Sequence, residues 1–218
     1  MSLHLSRDLE KLKKEVLKLG NLVETAINNA ILALNNREAS YIDEVFKHEN
    51  MINDMEVKVE EDSLKILALH QPVAVDLRFI VVVLKVNNDL ERMGDFASNI
   101  AKRARDLMQE EPLPTLPEFV NELPDLVRTM VRKSLDALVK LDMSLAKEVI
   151  EMDDKVDQIN RDMYTVVKKE IAKNPHNTET AINVLSCSRY MERIADLSTN
   201  IAEDVIFMVE GKVIRHAD

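Results

Sequence analysis

The chain has 218 residues, of which 46% are apolar and 31% charged, with 3 glycines, 4% aromatics and no tryptophan. That supplies core for one large domain or two small ones, and it excludes a loop-rich or all-β chain. A net charge of −10, with no basic run longer than two residues, argues against a nucleic-acid binder.

The N-terminus is too charged for a signal peptide, because no apolar stretch follows it between Met1 and Lys14. Leu9, Leu12, Val16, Leu19, Val23, Ala26 and Ala30 recur at steps of three and four, which predicts a first helix from about Ser6 to Asn36. A second helix is expected from Ser40, where Ser40 and Asp43 resemble a capping box, to Leu69, just before Pro72. A third follows from Val73 to Met108. Its longest apolar run, Phe79 to Leu84, is far too short to span a membrane.

Four of the six prolines lie between Pro112 and Pro124, and such a run cannot continue a helix, so it reads as the linker. The fourth helix is expected over Pro117–Leu141, with Pro124 as a kink or as its first turn. The fifth runs over Ser144–Lys173 and the sixth over Asn177–Glu210, with Pro175 in the turn between them. A 30-residue helix is about 45 Å long. Six such rods predict an all-α protein of two tandem, pseudo-symmetric three-helix bundles. The expected division is a first bundle over 1–109, a linker and helix start over 110–124, and a second bundle over 125–218.

Repetition within the chain supports this division. Residues Glu91 to Ala101 match Glu192 to Ala202 at 6 of 11 positions under a constant offset of 101, which points to duplication of a three-helix unit. Within the repeat, Glu91, Asp95 and Asn99 share one helical stripe, and Glu192, Asp196 and Asn200 recreate it. Glu49 and Asn53 on the second helix have the same spacing, as do Asp153 and Asp157 on the fifth. Across an antiparallel hairpin centred on Pro72, Glu49 lies level with Asp95 and Asn53 with Glu91. About a centre between Asn174 and Pro175, Asp153 lies level with Asp196 and Asp157 with Glu192.

Two explanations fit these matched heights. One is a solvated acidic face, with Arg92 and Arg193 neutralising their neighbours. The other is a carboxylate-rich cation site on each bundle, whose all-oxygen donors suit magnesium, calcium, manganese or oxidised iron. Asn53 leaves the first site poorer in charge and ranks the second ahead of it. Other residues carry less. The five histidines form no Glu-x-x-His, which argues against a di-iron oxidase, and His70 and His176 read as turn residues. The one cysteine, Cys187, allows no intrachain disulfide and reads as a buried structural thiol in a cytoplasmic protein. Gly94 sits within a helix, where a small residue permits close approach of a neighbour.

The stretches Asn88-Asp-Leu-Glu-Arg-Met-Gly-Asp-Phe-Ala-Ser-Asn-Ile-Ala101 and Arg189-Tyr-Met-Glu-Arg-Ile-Ala-Asp-Leu-Ser-Thr-Asn-Ile-Ala202 resemble the PhoU family of phosphate-signalling proteins. Leu69-His-Gln-Pro-Val-Ala-Val-Asp-Leu-Arg78 is similar to that family's turn between helices 2 and 3. The resemblance implies a non-catalytic cytoplasmic regulator, often dimeric, linked to the ATPase subunit of a phosphate ABC transporter and to a sensor histidine kinase. It implies that such proteins restrain phosphate uptake and starvation-gene expression when phosphate is plentiful. It also implies metal ligation by Glu91 and Asp95, by Glu192 and Asp196, and by Glu49, Asp153 and Asp157. Two other classes stay open on the residues alone: a metal-dependent phosphoester-processing enzyme and a purely structural helical scaffold.

Overall fold

The computed structural model describes residues 3–111 and 118–211. Six α-helices account for nearly all of it: α1 (Leu3–Asn36), α2 (Ala39–His70), α3 (Ala74–Leu107), α4 (Glu118–Lys140), α5 (Met143–Lys173) and α6 (Thr178–Glu210). The 3-10 turn Pro175–Asn177 joins the last two, and no helix of the described residues is long and apolar enough to cross a membrane. The expected helices are all present. The linker prolines Pro112, Pro114 and Pro117 lie outside the described residues.

The bundles pack as two layers. Helices α2, α3, α6 and α5 lie side by side in that order, and α1 and α4 lie together over one face of the row. Helix α3 runs antiparallel to α6, since Lys85 meets Asp204 near one end and Arg103 meets Asn183 near the other. The two three-helix units are thus related by a pseudo-twofold axis between α3 and α6. A single core runs through both, and Leu12, Leu19, Ile52, Leu90, Ile100 and Met130 are all fully buried in it. Each such side chain contributes about 1.5–3 kcal/mol on leaving water. A small satellite core of Met163, Val167 and Ala181 stands apart. Its members come from α5 and α6 alone.

Two helix starts differ from expectation, and of the two places expected for Pro124 one is found. Helix α2 starts at Ala39, its N-cap Glu38 makes no side-chain cap bond, and the Ser40–Asp43 capping box does not form. A tertiary tie sets this corner instead. Arg37 adopts the left-handed region, at φ 57°, and its guanidinium donates to the carbonyls of Leu107 and Glu110 at the end of α3. Asp142 is the true cap of α5, accepting from the amides of Ser144 and Leu145 at 2.8 and 3.2 Å. Pro124 lies inside α4 as its seventh residue rather than in its first turn, so that helix gives up one backbone hydrogen bond.

Cys187 is buried as expected, and burial pushes its thiol up to about 12, which makes it a poor nucleophile. His70 ends α2 at the turn into α3, with its Nε2 2.9 Å from the Asp8 carboxylate on α1.

Gly94 lets α2 pack closely on α3, because a Cβ there would stand 3.0 Å from Ile52 Cδ1. Gly94→Leu is expected to separate the two helices and lower stability by about 1–3 kcal/mol. Gly94→Ala sets a similar crowding against a helix-propensity gain of about 1 kcal/mol and should be close to neutral. Urea unfolding of the three proteins measures both; a Leu variant as stable as the parent would show that the contact yields freely.

Candidate metal centre

On the second bundle the hairpin register does what the spacing predicts. The turn at Pro175–Asn177 reverses the chain so that the Asp153–Asp157 stripe of α5 meets the Glu192–Asp196 stripe of α6. Asp157, Glu192 and Asp196 each place a carboxylate oxygen within 4.8 Å of the others. Among the described residues this is the one group of three or more acidic, histidine or cysteine side chains drawn so close. The sequence fixes height along the axes. Rotation comes from core packing, with Val156, Ile159, Ile194, Leu197 and Ile201 buried on the neighbouring faces.

Electrostatics records the crowding. Burial, then Asp196 and Asp157, push the Asp153 carboxyl up from 3.8 to about 6. Glu192 is raised by burial, then by Asp196 and Asp157, and Asp196 by burial and then by Asp157. Relief is partial. Arg161 lies 3.1 Å from the Asp157 carboxylate, and Arg193 lowers the charge burden on Glu192 and Asp196. Asp153 Oδ1 is fully buried and makes no hydrogen bond.

These residues fit a hard cation. All the donors are carboxylate oxygens, like charges are held together, and a buried oxygen lacks a hydrogen bond of its own. Cys187 and the histidines lie outside the group.

The first bundle is arranged differently. Glu91 is part-buried and Asp95 exposed on α3, while on α2 Glu49 is part-buried and Asn53 exposed. Burial, then Asp95, then Glu56 raise the Glu91 carboxyl. Glu56 is thus the α2 carboxylate that acts on Glu91, and the spacing analysis passed it over. Its signal was present, since Glu49, Asn53 and Glu56 fall on one stripe at steps of four and three. Its side chain is also near Asn87, which donates to the Glu56 carbonyl at 2.9 Å.

Two antiparallel three-helix units, each with a Glu-x-x-x-Asp-x-x-x-Asn stripe on its last helix, define a duplicated class of carboxylate-bearing helical proteins. The family model described as the PhoU domain matches twice, over residues 16–104 and 120–205, and the chain belongs to the PhoU family. It is 37% identical over 212 residues to the phosphate-specific transport system accessory protein PhoU homolog of Aquifex aeolicus, covering 97% of this chain and 96% of that one. The Pseudomonas putida protein of the same description is 35% identical over 99% of this chain and 84% of its own. The crystal structure of PhoU from Pseudomonas aeruginosa is similar at a TM-score of 0.92, with 34% identity over 95% of this chain and 99% of that one. The phosphate transport system regulatory protein PhoU from Streptococcus pneumoniae matches at 0.83 and 26% identity, over 96% and 98% of the two chains.

The raised Asp153 carboxyl sets a pH dependence. Its folded value lies above its unfolded value, so the stability it contributes is complete below about pH 4 and is lost as pH rises through about 6. In chelator, the difference in melting temperature between about pH 7.5 and 5 should therefore shift toward greater acid stability in the parent than in Asp153→Asn. The same variant should melt higher than the parent at about pH 7.5, because a buried like charge is gone. Thermal melts of both proteins check this, and identical pH profiles would count against the crowding.

Proposed function

We propose that this chain is a cytoplasmic regulator of phosphate uptake and phosphate-starvation signalling. It acts by protein contact rather than by catalysis. Its partners are the ATPase subunit of a phosphate ABC transporter and a sensor histidine kinase, and its working form is a homodimer. The single observation that supports the role is the double PhoU-domain match across both bundles, with relatives named as phosphate-specific transport system accessory proteins over nearly the full chain.

A hard cation, iron, manganese, magnesium or calcium, belongs to the proposal. Asp157, Glu192 and Asp196 would hold it on the second bundle, with Asp153 beside them. The ion would supply positive charge that cancels the repulsion among these groups and so would rigidify the outer edge of the α5–α6 pair. On the first bundle Glu91 and Asp95, with Glu49 and Asn53 across on α2, would form a weaker counterpart. Asn53 brings no charge to that set. Enzymatic phosphoester hydrolysis finds less support, since the side chains acting on the cluster are carboxylates and arginines and the nearest thiol is held protonated.

Deleting the gene should raise phosphate uptake and starvation-gene output in high phosphate, and the parent gene should restore both. Unchanged uptake and output after deletion would overturn the regulatory role. A pull-down in high phosphate should recover the transporter ATPase or the kinase; recovery of neither would overturn the contact mechanism. Metal analysis of the purified chain addresses the cation separately. Asp157→Ala/Asp196→Ala should lose the metal bound by the parent, whereas equal content in both would remove the centre from the proposal.

A further inference from the structure

The hydroxyl side chains inside these helices mostly follow one habit. Thr25, Ser63, Thr129, Ser186 and Ser198 each donate to the carbonyl four residues back, at 2.7–3.0 Å. Thr199 does not. Its Oγ1 is fully buried and makes no hydrogen bond, and the same is true of Ser98 Oγ, 101 residues earlier at the constant offset of the repeat. Both sit three residues after the stripe aspartate, Asp196 or Asp95, on the face that carries the carboxylates.

The Thr199 side chain acts on one group in particular. Its hydroxyl lies beside the Asp153 carboxyl. Asp153 Oδ1 is itself buried without a hydrogen bond. A donor and an acceptor, each unpaired and each removed from water, therefore stand beside the cluster of Asp157, Glu192 and Asp196. Burying two such groups unsatisfied is unfavourable unless another state of the site satisfies them.

We propose that Thr199 is a positioning residue of the metal centre, its hydroxyl donating to the Asp153 carboxylate so that Asp153 joins Asp157, Glu192 and Asp196 around the cation. This rests on the cation proposed above. A carboxylate that binds an ion through one oxygen can still accept a hydrogen bond, and a buried hydroxyl that donates to it fixes which way it points. The role is one of orientation. Thr199 differs here from Ser198, its neighbour, whose hydroxyl is committed to the backbone.

Titration of the full chain with Mn²⁺, with the free ion followed by electron paramagnetic resonance, tests it. Thr199→Val keeps shape and removes the hydroxyl, and it should weaken Mn²⁺ binding about tenfold or more. Thr199→Ser should bind close to the parent. In an Asp153→Asn background Thr199→Val should cost nothing further, because the hydroxyl acts through that carboxylate. Parent-like binding by Thr199→Val would overturn the proposal, as would an equal loss in the Asp153→Asn background. If the parent itself takes up no Mn²⁺, the metal centre and the role of Thr199 fall together. If it binds and Thr199→Val does not weaken it, only the latter falls. Metal-free Thr199→Val should melt no lower than the parent, since it removes a buried unpaired hydroxyl.

Discussion

The antiparallel seam of α3 against α6 holds the molecule together, and it does so with unlike contacts along its length. Near one end Asp204, only 2% exposed, takes the Lys85 ammonium at 3.1 Å, and that ammonium also lies 5.4 Å over the Phe207 ring. In the middle Phe96 and Tyr190 stack with centroids 6.0 Å apart. Toward the other end Arg103 donates to Asn183 at 3.1 Å. A buried carboxylate with its lysine specifies position more than it stabilises, because the desolvation of Asp204 offsets much of the attraction. The aromatic pair and the buried aliphatic faces on either side supply the driving force. Between them they leave one register in which both kinds of contact are made.

That register has a consequence for the acidic stripes. With Phe96 opposite Tyr190 on antiparallel helices, the Glu91–Asp95 pair comes level with the Glu192–Asp196 pair on the other side of the seam. One pair is turned toward α2 and the other toward α5. Helices α1 and α4 cover the opposite face of the row, so both stripes keep a route to solvent. The duplication therefore does more than repeat a fold. It sets two carboxylate stripes at equal height on the flanks of one rigid seam, with different donor sets.

Most of this was legible because the features are periodic. Helix stripes, proline turns and the 101-residue offset are set by local chemistry, and the hairpin centres followed by symmetry alone. What escaped was mostly non-periodic. Arg37 holds the end of α3 from a corner where only its left-handed backbone marks the spot. Asp142 caps α5, which therefore starts at Met143, one residue before the expected Ser144. Glu56 acts on Glu91 from one turn beyond Asn53, and a search restricted to steps of four does not find it. The facing of Asp157 and Glu192 needed the rotation of both helices, which many small packing contacts decide together.

The second cluster and the seam share a residue. Arg193 is drawn toward the charge of Glu192 and Asp196 on its own helix, while its guanidinium lies 5.9 Å over the Phe96 ring of the other bundle. A cation over an aromatic face is favoured modestly at exposed sites and more as water is excluded. The carboxylates compete for the same positive charge, and how strongly they do so depends on whether they are ionised. The charge state of the α5–α6 edge is thereby tied to a contact across the bundle interface through a single side chain. In the first bundle the matching residue, Arg92, instead lies 3.9 Å from the Asp89 carboxylate on its own helix. The pseudo-twofold symmetry is broken at the one pair of arginines where the two repeats could otherwise respond to charge in the same way.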